Sequence, residues 1–491
     1  MPFTQRDDCP VVTTSCGPVR GVREDHILAF RGIPYAAPPV GASRRFRPPL
    51  PPTSWDGVHD ASLYGPAAPQ PTTLDFNPQQ SEDCLMLNIW TPGTSVPGRP
   101  VLFCIHGGGF TSGSGSAPAL NGQTFAANGD IVVVTVNYRL GALGFLDLSA
   151  VLGADYASSG NTGLLDLIAA LRWVQANIAA FGGDPSRVTV MGHSAGAKSI
   201  GGLLVSPLAD GLFHRAIAMS GAVQSIRDQA TSAQLTEQFL RALGLTAATA
   251  DRLLELPAAT LMAAQQVWMR DVRGLHFFGP VIDGHVVTES PLEALARQGA
   301  SLRPLLIGTA SHEAYGFIAG EAVLNPPTEE VLRTLFGQGA AAVQAAYEQR
   351  SGRRCGESAP DMDVWQSVLT DAFYRSAALR TAEAYSQAGG PVWLYRFGAA
   401  APQDAGHGSE QPYVWHRGFP AERAPLAHAV HRAWIRFIHT GELGESPEAA
   451  GWPRFESERR VVRLFDDTDT YVSEKDWAEA AAFPIQALTL G

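Results

Sequence analysis

The chain is poor in lysine and poor in cysteine, and long apolar runs are not expected in it. Lys198 and Lys475 are the only lysines, so nearly all of its positive charge is arginine. With 36 basic residues against 47 acidic ones the net charge is −11, which argues against a nucleic acid or an anionic membrane as partner. The five cysteines, Cys9, Cys16, Cys84, Cys104 and Cys355, are odd in number and widely spaced. They form no C-x-x-C pair and no zinc spacing, so reduced thiols in a cytoplasmic protein are the expectation. The opening residues, MPFTQRDDCPVV, lack a basic segment followed by a long apolar run, so the sequence shows no signal peptide. Secretion from a longer precursor stays open. No apolar stretch is expected to approach the length that spans a bilayer.

Glycine, in contrast, is abundant, with 50 in 491 residues, and a hydrophobic content of 45% is enough for a sizeable core. A chain this long exceeds the usual domain, but large α/β folds run long as single units. No repeat, low-complexity tail or linker divides it, and residues 1–491 read as one domain. The stretch from Phe181 to Gly196, FGGDPSRVTVMGHSAG, organises the rest. Val188, Val190 and Met191 suit a buried strand, and Gly192-His193-Ser194-Ala195-Gly196 has the pattern G-x-S-x-G. Such a turn holds a serine in strained backbone between strand and helix, where larger neighbours would clash. Ser194 is therefore the candidate nucleophile. A structural turn serine is the competing reading of a lone G-x-S-x-G.

Upstream, Val101–Ile105 and Ile131–Val136 are apolar runs that suit central parallel strands. The first ends in His106-Gly107-Gly108-Gly109-Phe110, where successive glycines let backbone N–H groups converge on a substrate oxygen. A phosphate loop is the rival for any glycine cluster, but the Gly-Lys-Ser/Thr ending is missing. After Asn161, read as an N-cap, Leu164, Leu165, Ile168, Leu171, Val174 and Ile178 recur at helical spacing. That helix leads into the Ser194 strand, the β-loop-α-β order a doubly wound sheet requires. Further strands are expected at Ala216–Met219, Leu305–Ile307, Val392–Phe397 and Val461–Leu464. Alanine- and leucine-rich stretches at about 231–300 and 320–390 read as helical insertions that wall the pocket.

The run Phe181–Gly196 meets every fixed position of the serine signature of the type-B carboxylesterases and cholinesterases, and the chain resembles that family. His193 stands where glutamate is commoner. Phe30-Arg31-Gly32-Ile33-Pro34-Tyr35-Ala36 and Arg45-Phe46-Arg47-Pro48-Pro49 look like the family's N-terminal region, and SEDCLMLNIWTP, Ser81 to Pro92, is close to its second signature. In secreted relatives the cysteine of that motif pairs with an upstream cysteine in a Gly-Pro-x-Cys context. Here Gly65-Pro66-Ala67-Ala68 stands in its place, so the resemblance implies an unpaired Cys84. It also implies an α/β-hydrolase fold, a large, mostly parallel sheet flanked by helices.

In that fold the acid and the histidine follow the serine along the chain. Glu313, in Gly308-Thr309-Ala310-Ser311-His312-Glu313, resembles the family's acid motif, although Ala310 and His312 depart from its commonest form. Asp283 is the rival acid and is read as structural. His407, followed by Gly408-Ser409-Glu410-Gln411-Pro412-Tyr413, looks like the family's histidine loop. By resemblance the oxyanion donors are the amides of Gly108, Gly109 and Ala195, with His106 bracing the loop. His193 and Ser220 are placed just behind the reacting groups, and Phe110, Phe277, Phe278, Phe317 and Trp415 are candidates for an apolar pocket or for core.

The reading is a serine carboxylic-ester hydrolase acting on a small-molecule ester, with no metal and no cofactor, and a monomer is expected. The alternatives are an amidase or carbamate hydrolase using the same residues and, from another class, a non-catalytic cholinesterase-like binding module.

Overall fold

A computed structural model describes the chain except residues 1–9, 72–78, 271–276, 300–301, 317–323, 325–326, 358, 399–401, 445–450, 467, 469, 474–481, 484 and 486–491. Phe317, Cys9 and Lys475 fall outside the described residues.

The β-branched runs singled out above become the centre of an 11-stranded sheet. Strands β1 (Val11–Thr14), β2 (Gly17–Arg20) and β5 (His59–Asp60) form a small separate sheet. The large one contains β3 (Val22–Glu24), β4 (Ile27–Pro34), β6 (Met86–Thr91), β7 (Arg99–Ile105), β8 (Val132–Val136), β9 (Gly183–His193), β10 (Arg215–Met219), β11 (Leu305–Ala310), β12 (Val392–Phe397), β13 (Val461–Phe465) and β14 (Tyr471–Ser473). Its order is β14-β13-β12-β11-β10-β9-β7-β8-β6-β4-β3. The pairs from β8 through β7 to β13 are parallel, while β6, β4 and β3 at one edge and β14 at the other run antiparallel. This is the expected mostly parallel sheet of the α/β-hydrolase fold.

Alternation along each strand divides the core between the two faces of the sheet. Val101, Phe103, Ile105, Val188 and Val190 pack on one side with helices Thr162–Asn177 and Ala195–Val205. Leu102, Cys104, Met191, Ile217 and Trp393 pack on the other, against helix Ala424–Thr440 and its Trp434 and Phe437. Between β11 and β12 lie helices Glu329–Phe336, Ala340–Ser351, Met362–Thr370 and Ser376–Gln387, interrupted by a π-helical segment at Asp371–Arg375. These enclose a third, smaller core around Leu335, Tyr347 and Trp365.

Two sequence expectations need correction. Asn161 does occupy the N-cap of helix Thr162–Asn177, yet its side chain makes no capping bond. Its amide instead donates to Val281 O (2.8 Å) and Asp283 (2.8 Å), and its Oδ1 accepts from Val281 N–H (2.9 Å), tying a distant turn to the helix start. The expected absence of a membrane-length apolar run also fails. The helical run Ala154–Phe181 is long and apolar enough to cross a bilayer, by length and composition alone. It lies against the sheet with Leu164, Leu167, Ile168 and Leu171 fully buried, which is why a core helix passes the same test.

Candidate active site

Strand β9 ends at His193 and helix Ala195–Val205 begins at once, leaving Ser194 alone in the turn at φ 56°, ψ −121°. That conformation is costly for a residue with a Cβ and is held by its surroundings. Ser194 N–H donates to Met219 O (2.9 Å), and Ser194 O accepts from Lys198 N–H (2.9 Å). The flanking glycines are required by contact: a Cβ at Gly196 would collide with Ile105 O, and one at Gly192 with the backbone of Gly196. Ser194 Oγ makes no hydrogen bond among the described residues, and the side chain is largely buried.

Glu313 follows β11 and His407 follows β12, adjacent strands of the parallel sheet. The topology therefore delivers both loops to the end of the sheet that carries Ser194. His407 Nδ1 donates to Glu313 Oε2 at 2.6 Å, and Glu313 Oε1 accepts from Ala310 N–H at 2.8 Å. The His407 ring packs 4.5 Å from that of His193, the neighbour of Ser194. Asp283 is occupied elsewhere, accepting from the backbone N–H groups of His285, Val286 and Val287.

Gly107 carries the candidate oxyanion loop across Ser194, since a Cβ there would sit 2.8 Å from His193 O and 3.2 Å from Ser194 Cβ. Gly108 (φ 116°) and Gly109 (φ 61°) take backbone conformations suited to glycine. His106 Nδ1 lies 2.8 Å from Gly107 O, its ring stacks on Tyr138 at 4.5 Å, and the Tyr138 hydroxyl donates to His106 O at 3.0 Å. Gln70 ties down the far side, accepting from Gly113 N–H (2.8 Å) and donating to Gly113 O (2.9 Å).

Behind the histidine sits a second buried carboxyl. Glu410 accepts from Ser220 Oγ–H at 3.2 Å and lies 3.9 Å from His193 Nε2. The Gln411 amide donates to His193 Nδ1 at 3.3 Å, which places the imidazole proton on Nε2, facing Glu410. Burial pushes Glu313 up, opposed by the nearby Ser220 hydroxyl, by the hydrogen bond from Ala310 N–H and by the charges of Arg375 and Lys198. Burial and then the Glu313 charge push Glu410 up to about 8. Glu313 holds the better donors, so Glu410 is the carboxyl kept neutral. Burial, followed by the Lys198 charge, holds the His407 imidazole down to about 3. His193 is held well below the ordinary range by burial, then by His407 and Lys198.

Of the aromatic candidates, Trp415 is core on the opposite face of the sheet, edge-on to Phe125 at 5.3 Å. Phe110, Phe277 and Phe278 are buried in the main cluster, with Phe110 against Phe145 and Phe277 stacked on Trp268. Sequence reasoning passed over Gln70, Tyr374, Glu410 and Gln411. The last two stood inside the histidine loop at fixed distances from His407 and were legible there. Tyr374, whose ring lies 4.8 Å from that of His407, carries no local signal, because a separate helical insertion brings it in.

Comparison with known proteins gives a consistent result. The model of the carboxylesterase family matches residues 8–483. The para-nitrobenzyl esterase of Bacillus subtilis (strain 168) is 38% identical, over 95% of this chain and 96% of its own length. A phenmedipham hydrolase of Pseudarthrobacter oxydans is 34% identical, over 94% of this chain and 96% of its own length. A solved structure of a carboxylesterase from Geobacillus stearothermophilus superposes with a TM-score of 0.85 at 38% identity, covering 96% of this chain and 100% of that one.

Proposed function

The chain belongs to the carboxylesterase family and is a serine ester hydrolase, and from that premise we propose that Ser194, His407 and Glu313 carry the reaction. Ser194 Oγ attacks the ester carbonyl while His407 Nε2, the nitrogen not engaged by Glu313, takes its proton. Glu313 fixes the tautomer and balances the imidazolium as it forms. The amides of Gly108, Gly109 and Ala195 receive the oxyanion, and none of the three has an acceptor among the described residues. Collapse expels the alcohol with the proton from His407, leaving an acyl group on Ser194. Water activated by the same histidine then releases the acid and restores the serine.

The 2.6 Å bond between His407 Nδ1 and Glu313 is the observation that carries this assignment. The substrate is a small-molecule ester. Hydrolysis of a p-nitrophenyl ester series, acetate to long acyl chains, tests it against Ser194→Ala. Turnover should drop by on the order of a million-fold in the folded variant. Unchanged hydrolysis would overturn the role given to Ser194. A matched amide run alongside should turn over more slowly than its ester, and a faster one would overturn the ester preference.

A further inference from the structure

Lys198, one of two lysines in the chain, sits one helical turn beyond Ser194. Residues four apart share a helix face, with Cβ atoms about 5–6 Å apart, and helical side chains lean toward the N-terminus. The stem of Lys198 therefore leads its ammonium back toward the serine turn. Every residue of helix Ala195–Val205 is buried, and Lys198 is only 5% exposed.

The surroundings give this cation no partner at bonding distance. Nζ lies 5.7 Å from the centroid of Tyr374, whose ring is the one that packs against His407. No hydrogen bond or ion pair reaches Nζ among the described residues. Glu313, whose oxygens accept from Ala310 N–H and His407 Nδ1, acts on it only through space. Burial and the nearby Arg227 bring the ammonium down to about 8, opposed by the Glu313 charge, so at neutral pH it remains mainly charged. The Tyr374 hydroxyl, kept protonated by burial and then by the Glu313 charge, is a second donor without an acceptor among the described residues. An ammonium held in so enclosed a place is costly unless an anion meets it. The geometry leaves that anion to come from outside the protein.

We propose that Lys198 and Tyr374 form a carboxylate-binding subsite beside the nucleophile, and that the preferred substrates are esters carrying a second, free carboxylate, such as monoesters of short dicarboxylic acids. The proposal rests on the esterase reading above. A carboxylate is the natural match, because a lysine ammonium is a compact charge with three donors. The short path from Lys198 to the serine turn limits the spacing between the carboxylate and the ester carbonyl to a few carbons.

The test is a ratio: kcat/KM for p-nitrophenyl monoglutarate over that for p-nitrophenyl pentanoate, measured for the wild type, Lys198→Met and Lys198→Arg. The wild type should favour the charged ester. The ratio should fall about ten- to hundredfold in Lys198→Met, the usual worth of a hydrogen bond to a charged group, and recover in part in Lys198→Arg. A ratio near one in the wild type, or an equal loss on both esters in Lys198→Met, would overturn the subsite while leaving the esterase assignment standing. Failure of the wild type to cleave either ester would instead overturn the esterase reading and the subsite with it.

Discussion

His407 accepts a proton only while neutral, and burial and a nearby cation disfavour its imidazolium. Burial is the larger cause and the Lys198 charge the next, while Glu313 at 2.6 Å pulls the other way. His193, Tyr374 and the neutral Glu410 add no compensating negative charge. With the imidazole held below its ordinary range, the base form persists as pH falls through 6.5, the usual imidazole value. The acidic limb of kcat/KM on an uncharged ester should therefore lie below that pH. Lys198→Met should move it upward, because loss of a positive neighbour makes the imidazolium easier to form. A wild-type limb at or above 6.5 would contradict this balance. Ser194, Glu313 and His407 were legible one at a time, each at a strand end in a short local pattern. Their hydrogen bonds, and the approach of Tyr374 and Lys198 to the same histidine, were not, since these join segments up to 213 residues apart.

Elements position these side chains, and their fixings are backbone contacts and buried pairs. Arg139, in the loop after β8, clamps Asp166 of helix Thr162–Asn177. Its Nε donates to Oδ2 (2.8 Å) and its Nη2 to Oδ1 (2.7 Å), and its backbone N–H also reaches Oδ2 (3.0 Å). Both side chains are almost fully buried. Asp166→Ala leaves an arginine charge uncompensated in the core and should cost about 3–5 kcal/mol in equilibrium denaturation. The double replacement Arg139→Met with Asp166→Leu should lose less, because it leaves no stranded charge. A single-variant loss below about 1 kcal/mol would mean the pair is not sealed from water. Strand and helix periodicity identified these elements, and the apolar helix before β9 was plain from its spacing. The partners of Asn161 were invisible, because a polar side chain at a helix start can bond to a distant turn as readily as to its own backbone.

Across the whole molecule, the described residues hold no disulfide: Cys16, Cys84, Cys104 and Cys355 are all free thiols. Burial, then Asp166, raises Cys84, burial alone raises Cys104 well above its ordinary value, and burial followed by Glu348 and Glu329 brings Cys355 up to about 11. Of these four, Cys16, Cys84 and Cys104 are buried and Cys355 is partly exposed. Iodoacetamide followed by mass spectrometry should therefore label Cys355 alone among them in the native protein, and all four after denaturation. A reductant should leave the melting temperature unchanged. Native labelling of Cys84, or a lower melting temperature under reductant, would show that these thiols are not the sealed, unpaired groups described.

By itself the sequence determined the fold class, the strand-to-helix turn at Ser194 and the chain order of Ser194, Glu313 and His407. Those depend on local steric rules: glycines where a Cβ cannot fit, β-branched runs that make buried strands, and motifs at strand ends. Tertiary structure alone decided which of two buried carboxyls carries the charge, which aromatic rings are core, and where the single described lysine points. Those outcomes are set by burial and by the distance between segments remote in the chain. Trp415 and Phe110 look alike as aromatic residues near motifs, and only packing puts them on opposite faces of the sheet. Lys198 looks like a surface residue by type, and only the packing of its helix makes it a buried cation one turn beyond Ser194.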